Sequence, residues 1–326
     1  MTKQEQATVT ARPTARSGRN RIVQVLLDYG IVLALVLLVV VISFASPVFL
    51  TVDNLLQVLL QASINLLIAL GMTFVILTAG IDLSVGSVAA LAGITAGMLM
   101  KGGVFWPLAV LAGLGAGLAV GLANGLLISK LRITPFIVTL GMLSVVRGVT
   151  LVVSDGRPVF GFPESFIQTF AGTLGPVPMP VVIAAVAALI CWFVLRHTRL
   201  GEYTYAIGGN EEATRLSGVN VDRQKIAIYM ICAFLAALAG IVLTARLRAA
   251  EPIAASGYEL DAIAATVMGG TSLMGGEGGV IGTIIGALII STLRNGLNLV
   301  NVQSFYQQIA IGLVIILAVA LDRIRR

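Results

Sequence analysis

Few residues in this chain can do chemistry. It carries one histidine, His197, and two cysteines, Cys191 and Cys232, both inside apolar runs. No second His or Cys stands near His197, and buried thiols away from cationic groups are inert, so neither a metal site nor a disulfide follows. No Ser/His, paired-Asp or His/Glu constellation occurs, which leaves no basis for a catalytic centre. A nucleotide-binding P-loop needs Gly-Lys followed by Ser or Thr. The four lysines, Lys3, Lys101, Lys130 and Lys225, are followed by Gln, Gly, Leu and Ile. What remains is hydrogen bonding. Gln57, Gln61 and Asn65 recur at i, i+4 and i+8, one face of a helix, and Asn295, Asn298 and Asn301 recur at i, i+3 and i+6. Amides donate and accept at once, which suits hydroxylated, uncharged solutes. The same side chains also serve as polar glue between helices in lipid, and spacing alone leaves both roles open.

Two further segments interrupt otherwise apolar sequence. One runs from Thr78 to Ser87, the other from Met268 to Gly279, and each mixes glycines, hydroxyls and one carboxylate, Asp82 or Glu277. Irregular backbone at membrane depth is tolerated only against protein or a water-filled cavity, so such breaks mark binding or gating regions. Asp82 and Ser84 are candidates for a gate, and equally for the N-cap of the helix that follows. Ion-driven carriers bury carboxylates or histidines in their relays. Here the carboxylates sit at breaks and span ends, which argues against ion coupling. Arg147 is the lone strong charge within a span and is expected near the outer interface or paired inside the bundle.

The polar stretch from Arg196 to Lys225 differs from everything around it. It holds five of the basic residues and its own helix signal. Asn210 suits the N-cap, Glu211 and Glu212 the first turn, Arg215 the end, and Gly218 the C′ position. A helix of about two turns is marginal alone in water, so it needs a partner surface.

The elements that must position these residues are membrane spans. The chain has 326 residues, 58% hydrophobic and 11% charged, against about 45–50% and about 25% in soluble domains. Such a chain requires lipid around it. Apolar runs lie at 25–45, 55–78, 83–100, 104–129, 134–153, 180–196, 225–245, 259–271, 279–295 and 305–321, so an all-α bundle of about ten spans is expected, with 259–271 the short one. With the N-terminus inside, segments 1–24, 79–82, 130–133, 196–225, 271–278 and 322–326 hold 15 of the 21 basic residues. That bias predicts both termini in the cytoplasm. Arg246 and Arg248 run against it, with Glu251 a partial offset. The net charge of +6 therefore reflects topology and not nucleic-acid binding. The division is a disordered tail over 1–24, one transmembrane domain over 25–322 and a short tail over 323–326. Within the domain, 196–225 faces the cytoplasm and 154–179 forms the long outer loop. There Asp155-Gly156-Arg157-Pro158 signals a turn, Pro163–Phe170 a short surface helix, and the prolines over 175–180 a stiff return. Gly113, Gly117, Gly121 and Gly125 share one helix face and permit close helix approach.

At this point the residues match a known pattern. TAGIDLSVGS at 78–87, TRLGEYTYAIGGNEEATRLSGVNV at 198–221, GYELDAIAATVMGGTSLMGGEGGVIGTIIGALI at 257–289 and NGLNLV at 295–300 resemble the membrane permease subunit of bacterial ABC sugar importers, in the branch containing the ribose permease. The resemblance covers about 30–322. It implies a multi-pass protein of the bacterial inner membrane that imports a small neutral monosaccharide, ribose or a related pentose. It also implies a homodimer, a cytoplasmic ATPase subunit that holds the ATP and Mg, and a periplasmic sugar-binding protein, with no cofactor on this chain itself. By the same resemblance, Gly209, Asn210, Glu211, Glu212, Ala213, Arg215, Leu216 and Gly218 dock in a cleft of the ATPase. Gln57, Gln61, Asn65, Asp82, Ser84, Asn295 and Asn298 are the candidates for the pathway or its gate. A nucleoside or ribose-derived signal molecule carried by the same architecture is a second reading, and a stand-alone carrier a third.

Overall fold

The protein is described by a computed structural model that covers residues 21–303, 305–313 and 316. Most of the expected tail over 1–24, the end of the run at 305–321 and the tail over 323–326 lie outside these residues. Each apolar run read from the sequence forms a helix over most of its described residues. In chain order the helices are α1 (Arg21–Ala45), α2 (Val52–Leu77), α3 (Val85–Lys101), α4 (Trp106–Ser129), α5 (Pro135–Ser154), α6 (Glu164–Ala171), α7 (Met179–His197), α8 (Arg199–Gly209), α9 (Glu211–Leu216), α10 (Val221–Leu247), α11 (Tyr258–Met268) and α12 (Val280–Leu299). A further helical stretch follows over 305–313. Among the described residues, six helices are long and apolar enough to cross a membrane: α2, α4, α5, α7, α10 and α12. The 17 residues of α3 fall short of that length. The run at 259–271 yields only the 11 residues of α11. At 1.5 Å per residue that is about 16 Å, half the hydrocarbon core. The all-α expectation needs one small correction. Four two-residue strands form two antiparallel ladders, Val159–Phe160 with Ala249–Ala250 and Thr173–Leu174 with Val177–Pro178.

The centre of the bundle is α2 and α10. Every residue of α2 from Ala62 to Leu77 is buried, as expected of a helix apolar on all sides. The glycine face of α4 lies against α10. An added Cβ at Gly121 would stand 2.6 Å from the Tyr229 carbonyl oxygen, and one at Gly125 would stand 2.7 Å from Ile226 Cα. Only hydrogen fits there, so these glycines set the interaxial distance. Cys191 and Cys232 are free and buried in the same core. By contrast α5 buries only Val138, Thr139, Val146, Thr150 and Ser154, leaving Ile137, Val145 and Val152 on an outward face suited to lipid.

The long loop after α5 is folded. Asp155 and Gly156 turn the chain in the left-handed region, with φ of 52° and 65°. Pro163 precedes α6, whose Phe166 is fully buried. Phe162, Phe166, Phe170 and Trp106 form an aromatic cluster with ring centroids 5.4–6.3 Å apart, within the range where edge-to-face and tilted pairs are favourable. Arg248 pairs with Glu164 on α6 at 3.6 Å rather than with Glu251. Arg147 is paired inside the bundle: Nη1 donates to the carbonyls of Pro252 and Ala254 at 2.7 and 3.1 Å. His197 is exposed, with its ring against Phe193 and Trp192.

Candidate functional site

The polar stretch 196–225 contains two helices where the sequence signals one. Thr198 caps α8, its hydroxyl accepting from Gly201 N–H at 3.4 Å. Asn210 then caps α9, its Oδ1 accepting from Ala213 N–H at 2.9 Å. Gly218, at φ 86°, closes the helix: its N–H donates to Arg215 O at 3.0 Å and Val219 N–H to Thr214 O at 3.4 Å. This paired C-terminal closure requires a left-handed residue at that position. Residue type alone therefore marks both ends.

Ion pairs tie α9 to the foot of α10. Glu211 accepts from Lys225 Nζ at 2.6 Å and from Arg215 at 3.2 Å, Arg215 also reaches Asp222 at 3.3 Å, and Asp222 reaches Lys130 at 3.0 Å. Burial pushes the Glu211 carboxyl up, but the Lys225 ammonium and the Arg215 guanidinium outweigh it and hold the group below the usual carboxylate range. These charges line a cavity of about 570 Å³ between α9, α10 and the α4–α5 turn. On the outer side of α9, Leu216 is 81% exposed, and Glu212 and Ala213 are exposed beside it.

The two interrupted segments meet each other and the end of α8. The first break closes α2 with Ala79 at φ 58°. The second passes through Gly275, Gly276 and Gly278, at φ 85°, 76° and 132°. Gly276 N–H donates to Leu77 O at 2.9 Å. Gly208 of α8 fits between the two: a Cβ there would collide with Leu77 O and Gly276 N. Tyr205, one turn earlier on α8, donates its hydroxyl proton to Gly278 O at 2.9 Å. The helix pair α8–α9 is thus clamped on the end of α2 and on the loop that leads into α12.

Asp82 and Ser84 belong to a separate buried knot. Asp82 Oδ1 accepts from Ser84 N–H at 2.9 Å and from Ser84 Oγ at 2.6 Å, and Asn124 donates to Ser84 Oγ at 2.9 Å. Asp82 and Ser84 are both fully buried. The bond to Ser84 N–H is an Asx turn that leads into α3. Ser84 stands at the N-cap but makes no side-chain bond to the helix, so neither residue caps it as the sequence suggested.

The candidate amides divide. Gln61, Asn65 and Asn298 converge on a cavity of about 190 Å³ together with Arg246, Tyr258, Asp261, Ser291 and Arg294. Gln57 is exposed one turn away. Asn295 instead faces Asn54, and the two amides exchange hydrogen bonds of 2.9 and 3.1 Å. It is interhelical glue between α2 and α12. In the cavity, Gln61 Oε1 and Asn65 Oδ1 are buried acceptors with no protein donor among the described residues. Each such group costs about 1–3 kcal/mol unless a water or ligand supplies a proton. Asp261 and Arg294 form an ion pair of 2.9 Å on the cavity wall. Arg246 forms none among the described residues.

Residues 54–319 match the family described as branched-chain amino acid transport system / permease component. The chain belongs to this permease family. The permease is similar to the ribose import permease protein of Escherichia coli (strain K12), with 49% identity covering 94% of this chain and 97% of that one. It is 50% identical to the ribose import permease protein of Bacillus subtilis (strain 168), over 90% of this chain and 92% of the relative. It is 44% identical to the D-allose transport system permease protein of Escherichia coli (strain K12), over 91% of each. No solved structure matches. The permease is therefore a multi-pass membrane subunit of an ABC importer, non-catalytic itself, with nucleotide binding in a separate ATPase.

Sequence reasoning did not find Arg246, Asp261, Ser291 and Arg294 for the permease's cavity. A signal existed: Arg294 lies inside an apolar run, and an intramembrane charge is a functional pointer by default. The topology count sets it at an outer end instead.

Proposed function

We propose that this permease forms the membrane passage for ribose, delivered by a periplasmic binding protein and driven by a cytoplasmic ATPase. The observation that carries this reading is the 49–50% identity to ribose import permeases over nine-tenths or more of each chain. The cavity chemistry supports it: two unpaired amide oxygens call for hydroxyl donors, and a pentose is a neutral ring of hydroxyls. Gln61, Asn65 and Asn298 contact the solute in this reading, whereas Asp82 and Ser84 hold the α2–α3 turn and Asn295 holds α12 to α2. The full protein crosses the membrane about ten times with both termini in the cytoplasm, and two copies assemble as a homodimer. Residues 209–218 dock on the ATPase, with Glu211, Arg215 and Gly218 central. The charged, capped surface of α9, with Leu216, Glu212 and Ala213 outward, is the part of this stretch free to meet a partner.

The test is purification of the permease from native membranes in mild detergent, identification of its partners by mass spectrometry, and reconstitution of the recovered complex. ATP-dependent uptake of labelled ribose, resisting competition by nucleosides, is the expected result. Recovery of the permease alone, with uptake that collapses with the proton gradient at constant ATP, overturns the reading.

A further inference from the structure

The 190 Å³ cavity has a neighbour. A second cavity of about 560 Å³ opens beside it, lined on its far side by Ser256, Gln307 and Gln308. Tyr258, Asp261, Arg294 and Asn298 line both. These four residues stand where the two spaces adjoin. Among them runs the ion pair of Arg294 Nη2 with Asp261 Oδ2 at 2.9 Å. The two charges come from different helices, α12 and α11. Asn298 is fixed by Gln307, whose Nε2 donates to its Oδ1 at 2.7 Å.

We propose that the Asp261–Arg294 pair is a solute-operated gate between the two cavities, an inference that rests on the sugar-permease reading above. The ligand class is a neutral vicinal polyol. Its hydroxyls donate to the unpaired oxygens of Gln61 and Asn65 in the smaller cavity. Adjacent hydroxyls also offer two donors to the Asp261 carboxylate and acceptors to the Arg294 guanidinium, replacing what each charge loses when the pair parts. An anionic solute does only half of this: its charged group pairs with Arg294, or with Arg246, which has no ion pair among the described residues, but it gives Asp261 no donor. An apolar one does neither, because it leaves two partly buried charges unpaired. The short α11 is bounded by Gly257 at φ 87° and by Gly270 at φ 84°. Between them the backbone of α11 is seated on α12, where a Cβ at Gly282 or Gly286 would collide with the carbonyls of Gly269 and Ala265, so the pair opens by rotation of its side chains.

The test uses the purified permease with its ATPase and binding protein in proteoliposomes. The neutral double variant Asp261→Asn/Arg294→Gln keeps side-chain size and removes the closing charge. Passive entry of labelled ribose, without ATP or binding protein, is expected to rise by about tenfold, the shift of one closed-to-open ratio. The charge-exchanged variant Asp261→Arg/Arg294→Asp is expected to return entry towards the wild-type level. A purely structural pair would lower the melting temperature without a leak. A neutral variant that melts like the wild type, stays impermeable and transports normally overturns the proposal. Should the neutral variant not fold, Ser291→Cys in an otherwise unaltered permease carries the test, because Ser291 lines only the smaller cavity. A membrane-impermeant thiol reagent should label it about fivefold faster with ribose present than with an anionic sugar acid, and equal rates sink the gate. Failure of ATP-driven ribose uptake by the wild type would instead count against the function reading. The passive leak is read separately from it.

Discussion

The backbone N–H of Gly276 donates to the carbonyl oxygen of Leu77 at 2.9 Å, so the second interrupted segment is bonded to the last residue of α2, where the first begins. Gly208 lies against that bond. Movement of α8 therefore meets the end of α2 and the start of the α12 lead-in as backbone on backbone, where side chains cannot yield.

Gly208→Ala tests this contact. Its methyl has no space between Leu77 O and Gly276 N, and overpacking of this kind costs about 1–3 kcal/mol. The expected result is a lower melting temperature in detergent together with ATP hydrolysis that no longer scales with uptake. If the Gly208→Ala variant melts and couples like the wild type, the contact is dispensable.

Arg215→Glu should abolish uptake while the bundle stays folded. It removes one of two cationic partners from each of Glu211 and Asp222 and sets a third carboxylate beside them. Normal uptake by this variant would remove α9 from the coupling role.

The Glu211 carboxyl gives a pH dependence. Its folded value lies below the ordinary one, so the stabilisation is present above the unfolded carboxylate range of about 4.3 and is lost as pH falls through the depressed folded value. Glu211 is 42% exposed, and solvent screening limits the effect to about 0.5–1 kcal/mol. Protection factors for hydrogen exchange over 209–218, taken relative to the intrinsic rate at each pH, should fall below about pH 4 in the wild type. They should already be low in Glu211→Gln at neutral pH. Identical protection in both proteins would contradict the role given to these ion pairs.

Asn54 and Asn295 form a reciprocal amide pair. Asn295→Leu leaves Asn54 Oδ1 without a donor, while Asn54 Nδ2 keeps its bond to Phe49 O at 2.9 Å, and should cost about 1–3 kcal/mol. The double variant Asn54→Leu/Asn295→Leu should recover part of it, because the Asn54–Asn295 pair is then gone while Phe49 O loses one donor. Thermal unfolding of the four proteins gives the cycle, and additive losses would refute the pairing.

Much of this structure was legible in residue type and spacing. The caps of α9 are local signals, and Asn210 and Gly218 act where such residues act in any helix. The glycine face of α4 is a periodic signal for close helix approach, and the structure supplies its partners, α10 and, at Gly113, α3. The existence of α8 was hidden, because Gly201, Gly208 and Gly209 lower its helix propensity and its stability comes from contacts of Gly201, Thr204 and Ile207 with other segments. The amides show the sharper limit. Asn65 and Asn295 look alike in sequence, and only the packing of α12 against α2 turns one towards a cavity and the other towards Asn54. Asp261 and Arg294 could not be joined from sequence, since nothing local links residues on separate helices.

The longest helix, α10, is a single unbroken rod. Its 27 residues make it about 40 Å long. Lys225 near one end holds Glu211 of α9, and Arg246 near the other borders the small polar cavity. A rigid beam of that length is a lever. Tilting it by about 5° about its foot would sweep the far end through about 3.5 Å, roughly the width of a hydrogen bond, from a displacement at the foot too small to break a single ion pair.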